Sequence, residues 1–378
     1  MANTLTGLIP TIYKALDVVS RELVGFIPSV FLNAAADQVK KDQTITYPVT
    51  NAYSASDIVP AATGPNPAAT TVGTDSMSIT KVRSVTFYWE GEEIKGLNTA
   101  NLYESLLQAQ FAQAMRTLVN EVEADLAALY INASRAYGTA GTTPFGNNLE
   151  DLAQVRKILA DNGAPMSELQ LVIDTTAGAK LRSLGQLTKA NEAGSTDTLR
   201  RGVLLDVFGF QIRESAQVKT HTKGTDSGYL VNAPSGLPAG TTVIPVDTGS
   251  GTILAGDVVT FGSDPTKYVV TSGLSGGTFT IAPPGLLTAV ADNTAVNIVG
   301  NHTCNMAFAK SAIHLLCRVP AMPAGGDAAD DVITVTDPVS GISFQVALYR
   351  QYRRIAYEVG LAWGVKAVKK EHIALLLG

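Results

Sequence analysis

Four histidines and two cysteines are the side chains here best suited to metal binding or nucleophilic chemistry: His221, His302, His314, His372, Cys304 and Cys317. A metal site needs several such donors converging, and on a helix that means histidines at i and i+4. No H-x-x-x-H pair occurs. Only His372 has an acidic neighbour, Glu371; adjacent residues on a strand face opposite sides, so this adjacency assembles no site. His314 within "AIHLLC" reads as a core or interface histidine. The cysteines form no C-x-x-C pair, and two thiols build no disulfide framework. They read as reduced, buried, small apolar residues of a chain made in a cytoplasm. Asp327, Asp330 and Asp331 in "GGDAADD" lack the alternating ligands of a calcium loop and read as a solvated turn. No phosphate loop, dinucleotide fingerprint or nucleophile elbow stands between a strand and a helix. The expectation is therefore no catalytic residue, no cofactor and no metal. The one charged group worth following is basic: Arg350, Arg353 and Arg354 with Lys366, Lys369 and Lys370, which could face nucleic acid or a partner's carboxylates.

The chain has 378 residues, of which 46% are apolar and 16% charged. Soluble domains usually carry about 25% charged residues. An ordinary apolar content with so few charges implies surface covered by other chains. The net charge of −5 argues against a dedicated DNA-binding protein but not against one that merely encloses DNA. The start is interrupted by Lys14, Asp17, Arg21 and Glu22, unlike a signal peptide. No apolar run reaches the roughly 18 residues of a membrane-spanning helix.

These residues must be placed by a sequence of contrasting segments. Leu8, Ile12, Ala15, Leu16, Val19 and Leu23 follow helical spacing in an arm that Pro28 should end. Ile45, Tyr47 and Val49 alternate, as do Val85, Phe87 and Trp89, predicting two extended β-arms joined by a Pro- and Gly-rich tip at Gly64–Pro67. Then Leu107, Phe111, Met115, Leu118, Val122, Leu126 and Leu129 recur at steps of three and four, with Gln108, Arg116, Asn120, Glu123 and Asp125 off the stripe. With Asn98 or Thr99 as cap, this predicts one unbroken helix over 98–135, about 50 Å long at 1.5 Å per residue. A helix over 149–161, a buried strand in "ELQLVID", a Thr-capped helix from 175 and a hairpin over 202–215 make an α/β unit. Residues 220–300 have no helical period. Short β-runs there, separated by Gly, Pro, Asp and Ser, predict a small barrel or sandwich with Val258, Phe261, Tyr268 and Val270 in its core. "CNMAFAKSAIHLLCRVP" reads as strand, turn, strand, and long alternating strands close the chain.

This order of elements resembles the major capsid protein of tailed bacteriophages, the Hong Kong ninety-seven fold. "ELQLVIDTTAGAKLRSL" with "RRGVLLDVFGFQIRES" resembles that family's axial segment, and "AYEVGLAWGVKAVKKEHIALLL" its last peripheral-domain strand and tail. The inserted β-unit is similar to that of the P-twenty-two-type coat proteins. The resemblance implies an α+β fold. Its parts would be an N-terminal arm (1–43), an extended β-loop (44–95), a peripheral domain with the spine helix (96–145 and 328–378), an axial domain (146–220 and 302–327) and an inserted β-domain (221–301). It implies self-assembly of many copies into pentamers and hexamers of an icosahedral shell around double-stranded DNA, through a procapsid that expands. A portal and a separate scaffolding protein are implied, since no long cleavable leader stands at the start, and a decoration protein is allowed. The virion, assembled in a bacterial cytoplasm, would be its location. Tyr47, Val49, Phe87, Trp89, Ile12 and Leu16 become candidates for contacts between subunits, and Gly96, Gly138 and Gly141 for hinges. Arg350, Arg353, Arg354, Lys369 and Lys370 would face DNA or a neighbour. A secreted or surface carbohydrate-binding protein, with the β-unit as its binding module, is the alternative.

Overall fold

Strand-forming segments dominate the chain, and they sort into two sheets and one separate ribbon. The computed structural model describes residues 5–20, 25–49, 73–99, 102–146, 148–188, 206–323, 325–338 and 340–378. The arm comprises helix α1 (Leu5–Ser20), the single turn α2 (Phe26–Ser29) and strand β1 (Phe31–Val39). Pro28 lies inside α2 rather than closing the first helix. Strands β2 (Thr44–Val49) and β3 (Gly73–Ser78) pair antiparallel as the ribbon, and the expected tip at Gly64–Pro67 lies outside the described residues. Strand β4 (Lys81–Glu90) and helix α3 (Gly91–Thr99) follow, then the spine helix α4 (Tyr103–Ala127).

The spine is shorter than its sequence period suggests. Gly91–Thr99 forms its own helix, and Leu102 precedes α4 without a side-chain cap. At the other end the chain tightens into a 3-10 turn over Ala128–Asn132. Ser134 then donates both its N–H and its hydroxyl to the Ile373 carbonyl, and the chain runs on as strand β5 (Arg135–Tyr137). That tertiary anchor, absent from any local pattern, ends the helix.

Beyond it lie helix α5 (Glu150–Asp161), strand β6 (Leu169–Ile173), helices α6 (Thr175–Ser183) and α7 (Gly185–Thr188), and strand β7 (Phe210–Glu214). The cap of α6 is Asp174, whose carboxylate accepts from the N–H groups of Thr176 and Ala177, rather than a threonine. Of the expected hairpin over 202–215, residues 202–205 lie outside the described residues; the described part turns tightly at Phe208–Gly209, bridged by Val207 and Phe210. Its second arm, β7, pairs parallel with β6. The inserted segment carries β8 (Thr220–His221), β9 (Leu230–Val231), β10 (Val243–Asp247), β11 (Val258–Phe261), β12 (Lys267–Ser275), β13 (Thr278–Ile281) and β14 (Val296–Ile298). The chain closes with β15 (His302–Ala309), β16 (Ile313–Pro320), β17 (Asp331–Thr336), β18 (Ser343–Gln351), β19 (Arg354–Ala367) and β20 (Ile373–Leu377).

In the first sheet β19 is the axis. One edge pairs with β4 along Lys81–Glu90; the other takes β18 and then β16, with β17 and β1 outermost. The second sheet runs β7-β6-β15-β20-β5-β12-β13-β10-β9. Three segment boundaries differ from expectation for one reason: a strand follows its hydrogen-bond partner, not its sequence neighbours. β4, assigned to the extended loop, is a full member of the first sheet. β16, assigned to the axial segment, joins β1 and β19. β20, assigned with the peripheral strands, lies between β15 and β5 in the second sheet. The inserted segment has its own core, yet β12 pairs with β5, so its sheet is spliced onto the axial one.

The main core lies between α4 and the first sheet. Phe111 meets Phe87 edge-on at 5.1 Å and Tyr357 at 5.4 Å. Asp125 fastens the helix to two strands, accepting from Lys81 Nζ at 2.7 Å and from Trp363 Nε1 at 2.9 Å. On the other face of the sheet the ribbon's base packs Met77 and Ile79 against Leu316 and Ala362. Gly364 makes this approach possible, because a Cβ there would stand 2.0 Å from the Ser78 carbonyl oxygen. Gly364→Ala should therefore force the ribbon away from β19 and destabilise the chain by about 1–3 kcal/mol. Gly96→Ala, inside α3 with open space around it, should be neutral or stabilising by up to about 1 kcal/mol. Denaturant unfolding of the two variants checks the contrast.

Candidate interaction surfaces

The residues singled out for contacts between subunits divide by burial. Ile12 and Leu16 are fully buried where α1 packs on α4, so they belong to the chain's own core. Phe87 and Trp89 also turn inward: Phe87 stacks on Tyr357 at 5.4 Å and Trp89 meets Tyr103 at 6.0 Å. Alternation along β4 was legible, but which face met α4 was not. The exposed large apolar residues of that strand are Val82 and Tyr88, the latter 54% exposed. Tyr47 and Val49 lie in β2, opposite Asp75 and Gly73. The ribbon is tied near its base by Lys366, whose Nζ bonds Asp75 Oδ1 at 2.5 Å.

The basic group does not form one patch. Arg350, Arg353 and Arg354 gather at the β18–β19 hairpin, whereas Lys369 and Lys370 follow the opposite end of β19. Fourteen strand residues at about 3.3 Å each put roughly 45 Å between them. Arg350 is held by Asp330 at 3.5 Å, and Lys369 lies 3.9 Å from Glu371. The acidic turn is pinned to the same hairpin. Tyr349 donates its hydroxyl to Asp327 at 2.8 Å. That bond and the Ala329 N–H hold the Asp327 carboxyl below its ordinary range, the backbone donor contributing most.

Of the candidate hinges, Gly96 lies inside α3, while Gly138 and Gly141 adopt φ of +100° and +75°. A Cβ at Gly138 would meet the Leu377 carbonyl oxygen at 2.8 Å, and Gly141 donates its N–H to the Gly378 carbonyl. The last strand therefore clamps this turn. In the inserted segment Phe261, Tyr268 and Val270 share one core with Val259, whereas Val258 faces the main core beside Val269.

Two buried polar groups escaped the sequence reading. Glu123, placed off the helix stripe, is only 4% exposed. Its carboxylate receives the N–H groups of Phe26 at 3.1 Å and Ile27 at 2.9 Å, and the Ser215 hydroxyl at 3.1 Å. One side chain on the spine thus ties the arm's α2 to the end of β7. Burial pushes its carboxyl above the ordinary value, outweighing the three donors that pull it down. The second group gives an acidic partner to a histidine other than His372, which alone had an acidic neighbour in sequence. His221 Nε2 lies 2.8 Å from Asp257 Oδ1, both buried. Asp257 also accepts from the N–H of Leu254 at 2.6 Å and of Gly224 at 3.1 Å. An ionised carboxylate accepts only, so Nε2–H donates to it and Nδ1 is left to accept from the Tyr130 hydroxyl at 2.9 Å. Burial pushes that hydroxyl up to about 12, so it stays a donor. The chain of three fastens the inserted segment to the end of the spine. No cluster of three or more metal-ligating side chains exists among the described residues. The cysteine thiols Cys304 and Cys317 are buried and pushed up to about 12, which makes them inert.

No family model and no curated protein matches this chain. Solved structures do. It is similar to a capsid structure of cyanophage P-SCSP1u at TM-score 0.47 and 12% identity, over 93% of this chain and 88% of that one. A virus-like particle from Pyrococcus furiosus aligns at TM-score 0.46 and 10% identity, over 97% and 98%. A chain from Mycobacterium phage Che8 aligns at 0.44 and 13%, over 93% and 90%. Among the described residues no helix is long and apolar enough to cross a membrane.

Glu123→Gln keeps the shape but presents an N–H₂ to at least one N–H donor, and should cost about 1–3 kcal/mol near neutral pH. The raised carboxyl also sets a slope. Its favourable contribution is complete below the ordinary value of 4.5 and declines as pH rises through the higher folded value. The stability difference between the wild type and Glu123→Gln should therefore shrink from pH 4 to pH 7, as measured by denaturant unfolding across that range.

Proposed function

We propose that this chain is a shell-forming coat protein, assembling in many copies into an icosahedral shell that encloses double-stranded phage DNA without reading its sequence. The observation that carries the proposal is the β2–β3 ribbon. Among the described residues its apolar contact with its own chain is at its base, and neither of its outer edges is paired. A two-stranded ribbon is marginal alone in water, and unpaired strand edges invite pairing with another chain. The low charge density of the chain supports the same reading, because surface that other copies cover needs few charges.

In this proposal α4 on the first sheet is the rigid body, and the ribbon, with Tyr47 and Val49, lies over a neighbouring copy. Gly138 and Gly141 absorb the rotation when a procapsid expands, with Gly96 a further hinge. The arginines of the β18–β19 hairpin and the lysines beyond β19 face either a neighbour or the packaged DNA. A scaffolding protein and a portal act as assembly partners, with a decoration protein as an optional third, in a bacterial cytoplasm. The inserted β-segment stiffens the axial region and contributes loops to contacts between capsomers.

Electron microscopy of the purified chain, with and without a co-expressed scaffold, is the decisive measurement. Closed shells tens of nanometres across are expected. A stable monomer that binds glycans would overturn the proposal in favour of a carbohydrate-binding protein. Deleting residues 222–301 should lower the yield of shells or change their size, since β12 is spliced onto β5; normal shells in normal yield would show the segment to be dispensable.

A further inference from the structure

The β18–β19 hairpin ends in Tyr352 and Arg353, a two-residue turn closed by the Gln351–Arg354 pair. Tyr352 is 91% exposed, the most exposed of the large hydrophobic side chains among the described residues. Arg353 holds φ at +59°. A side chain with a Cβ is strained there and glycine or asparagine would be easier, so the turn keeps an unfavourable residue. The Arg353 carbonyl accepts the Gly91 N–H at 3.0 Å, which fixes the tip against the corner between β4 and α3. Between tip and corner lies a notch of about 380 Å³, walled by Tyr352, Arg353 and Arg354 on one side and by Glu90, Gly91 and Glu92 on the other. The two walls carry opposite charge, yet neither arginine has a carboxylate within salt-bridge distance among the described residues. Arg354 instead lies over the Tyr88 ring at 5.2 Å and donates to Gln351.

We propose that this tip and notch form a contact between two copies of the chain: Tyr352 and Arg353 of one copy seat against Glu90 and Glu92 of another. The inference rests on the shell reading and names one of its contacts. A surface that bears a cationic aromatic knob beside an acidic wall is complementary to itself, the condition for repeated contacts between identical subunits. Tyrosine and arginine are the residues that dominate such contacts once desolvated. Charge complementarity also selects the occupant. A phosphate backbone approaching the arginines would meet Glu90 and Glu92 on the facing wall, whereas a second copy satisfies both walls at once.

The test uses full-length chains and follows association by sedimentation velocity and light scattering, with thermal melts as a folding control. Tyr352→Ser has almost no intrachain contact to lose. It should melt like the wild type and raise the concentration needed for assembly at least tenfold. Arg353→Glu with Arg354→Glu should abolish assembly, and so should Glu90→Lys with Glu92→Lys. Mixing these two charge-reversed chains should restore it. If wild-type chains form shells and the reversed chains do so equally well, the contact is wrong and the shell reading stands. If mixing restores nothing and the tip variant instead loses retention of duplex DNA, the arginines face nucleic acid and the contact is overturned. If the wild type never associates, both readings fall.

Discussion

The seating of α4 on the face of β4 and β19 is the interaction on which the rest of the chain depends. A helix with one apolar stripe must cover that stripe, and a sheet with an apolar face must cover that face. Phe111 of α4, between Phe87 and Tyr357, satisfies both demands at one place, and Asp125 locks the register by bonding Lys81 and Trp363. Every other element takes its position from this layer. The arm packs α1 over the helix, the ribbon leaves from the opposite face of the sheet, and the second sheet begins where Ser134 catches Ile373.

Around that layer, polar side chains act as fasteners between segments far apart in sequence. Glu123 joins spine, arm and β7; Asp257, His221 and Tyr130 join the inserted segment to the spine; Arg318 joins β16 to β1, donating to the Asn33 carbonyl at 2.7 Å and its side-chain oxygen at 2.8 Å. Each buries charge or hydrogen-bonding capacity that is satisfied only when both segments are docked, so each makes docking specific as well as favourable. A body fastened internally in this way can leave its ribbon and hairpin tip committed outward.

That division shows in the candidate contact residues. Ile12, Leu16, Phe87 and Trp89 have the composition of contact residues, yet the chain covers them itself. Tyr88 on β4 faces outward instead, as does Tyr352, which sits with Arg353 and Arg354 on a turn whose sequence, "QYRR", has no glycine or proline to announce it.

The sequence by itself determined what periodicity can carry: the apolar stripe of α4, the alternation of β4, β18 and β19, the break at Asn162–Gly163 that ends α5, and the β-rich character of residues 220–300. These are local, because a helix or strand repeats within a few residues. Tertiary structure alone decided which sheet β16 and β20 would join, which face of β4 would turn inward, and that Val258 would leave the inserted core. It alone paired His221 with Asp257 across 36 residues and Glu123 with Phe26 across 97. Strand partners and buried hydrogen bonds are chosen by proximity in the folded chain, and no spacing rule in the sequence encodes that distance.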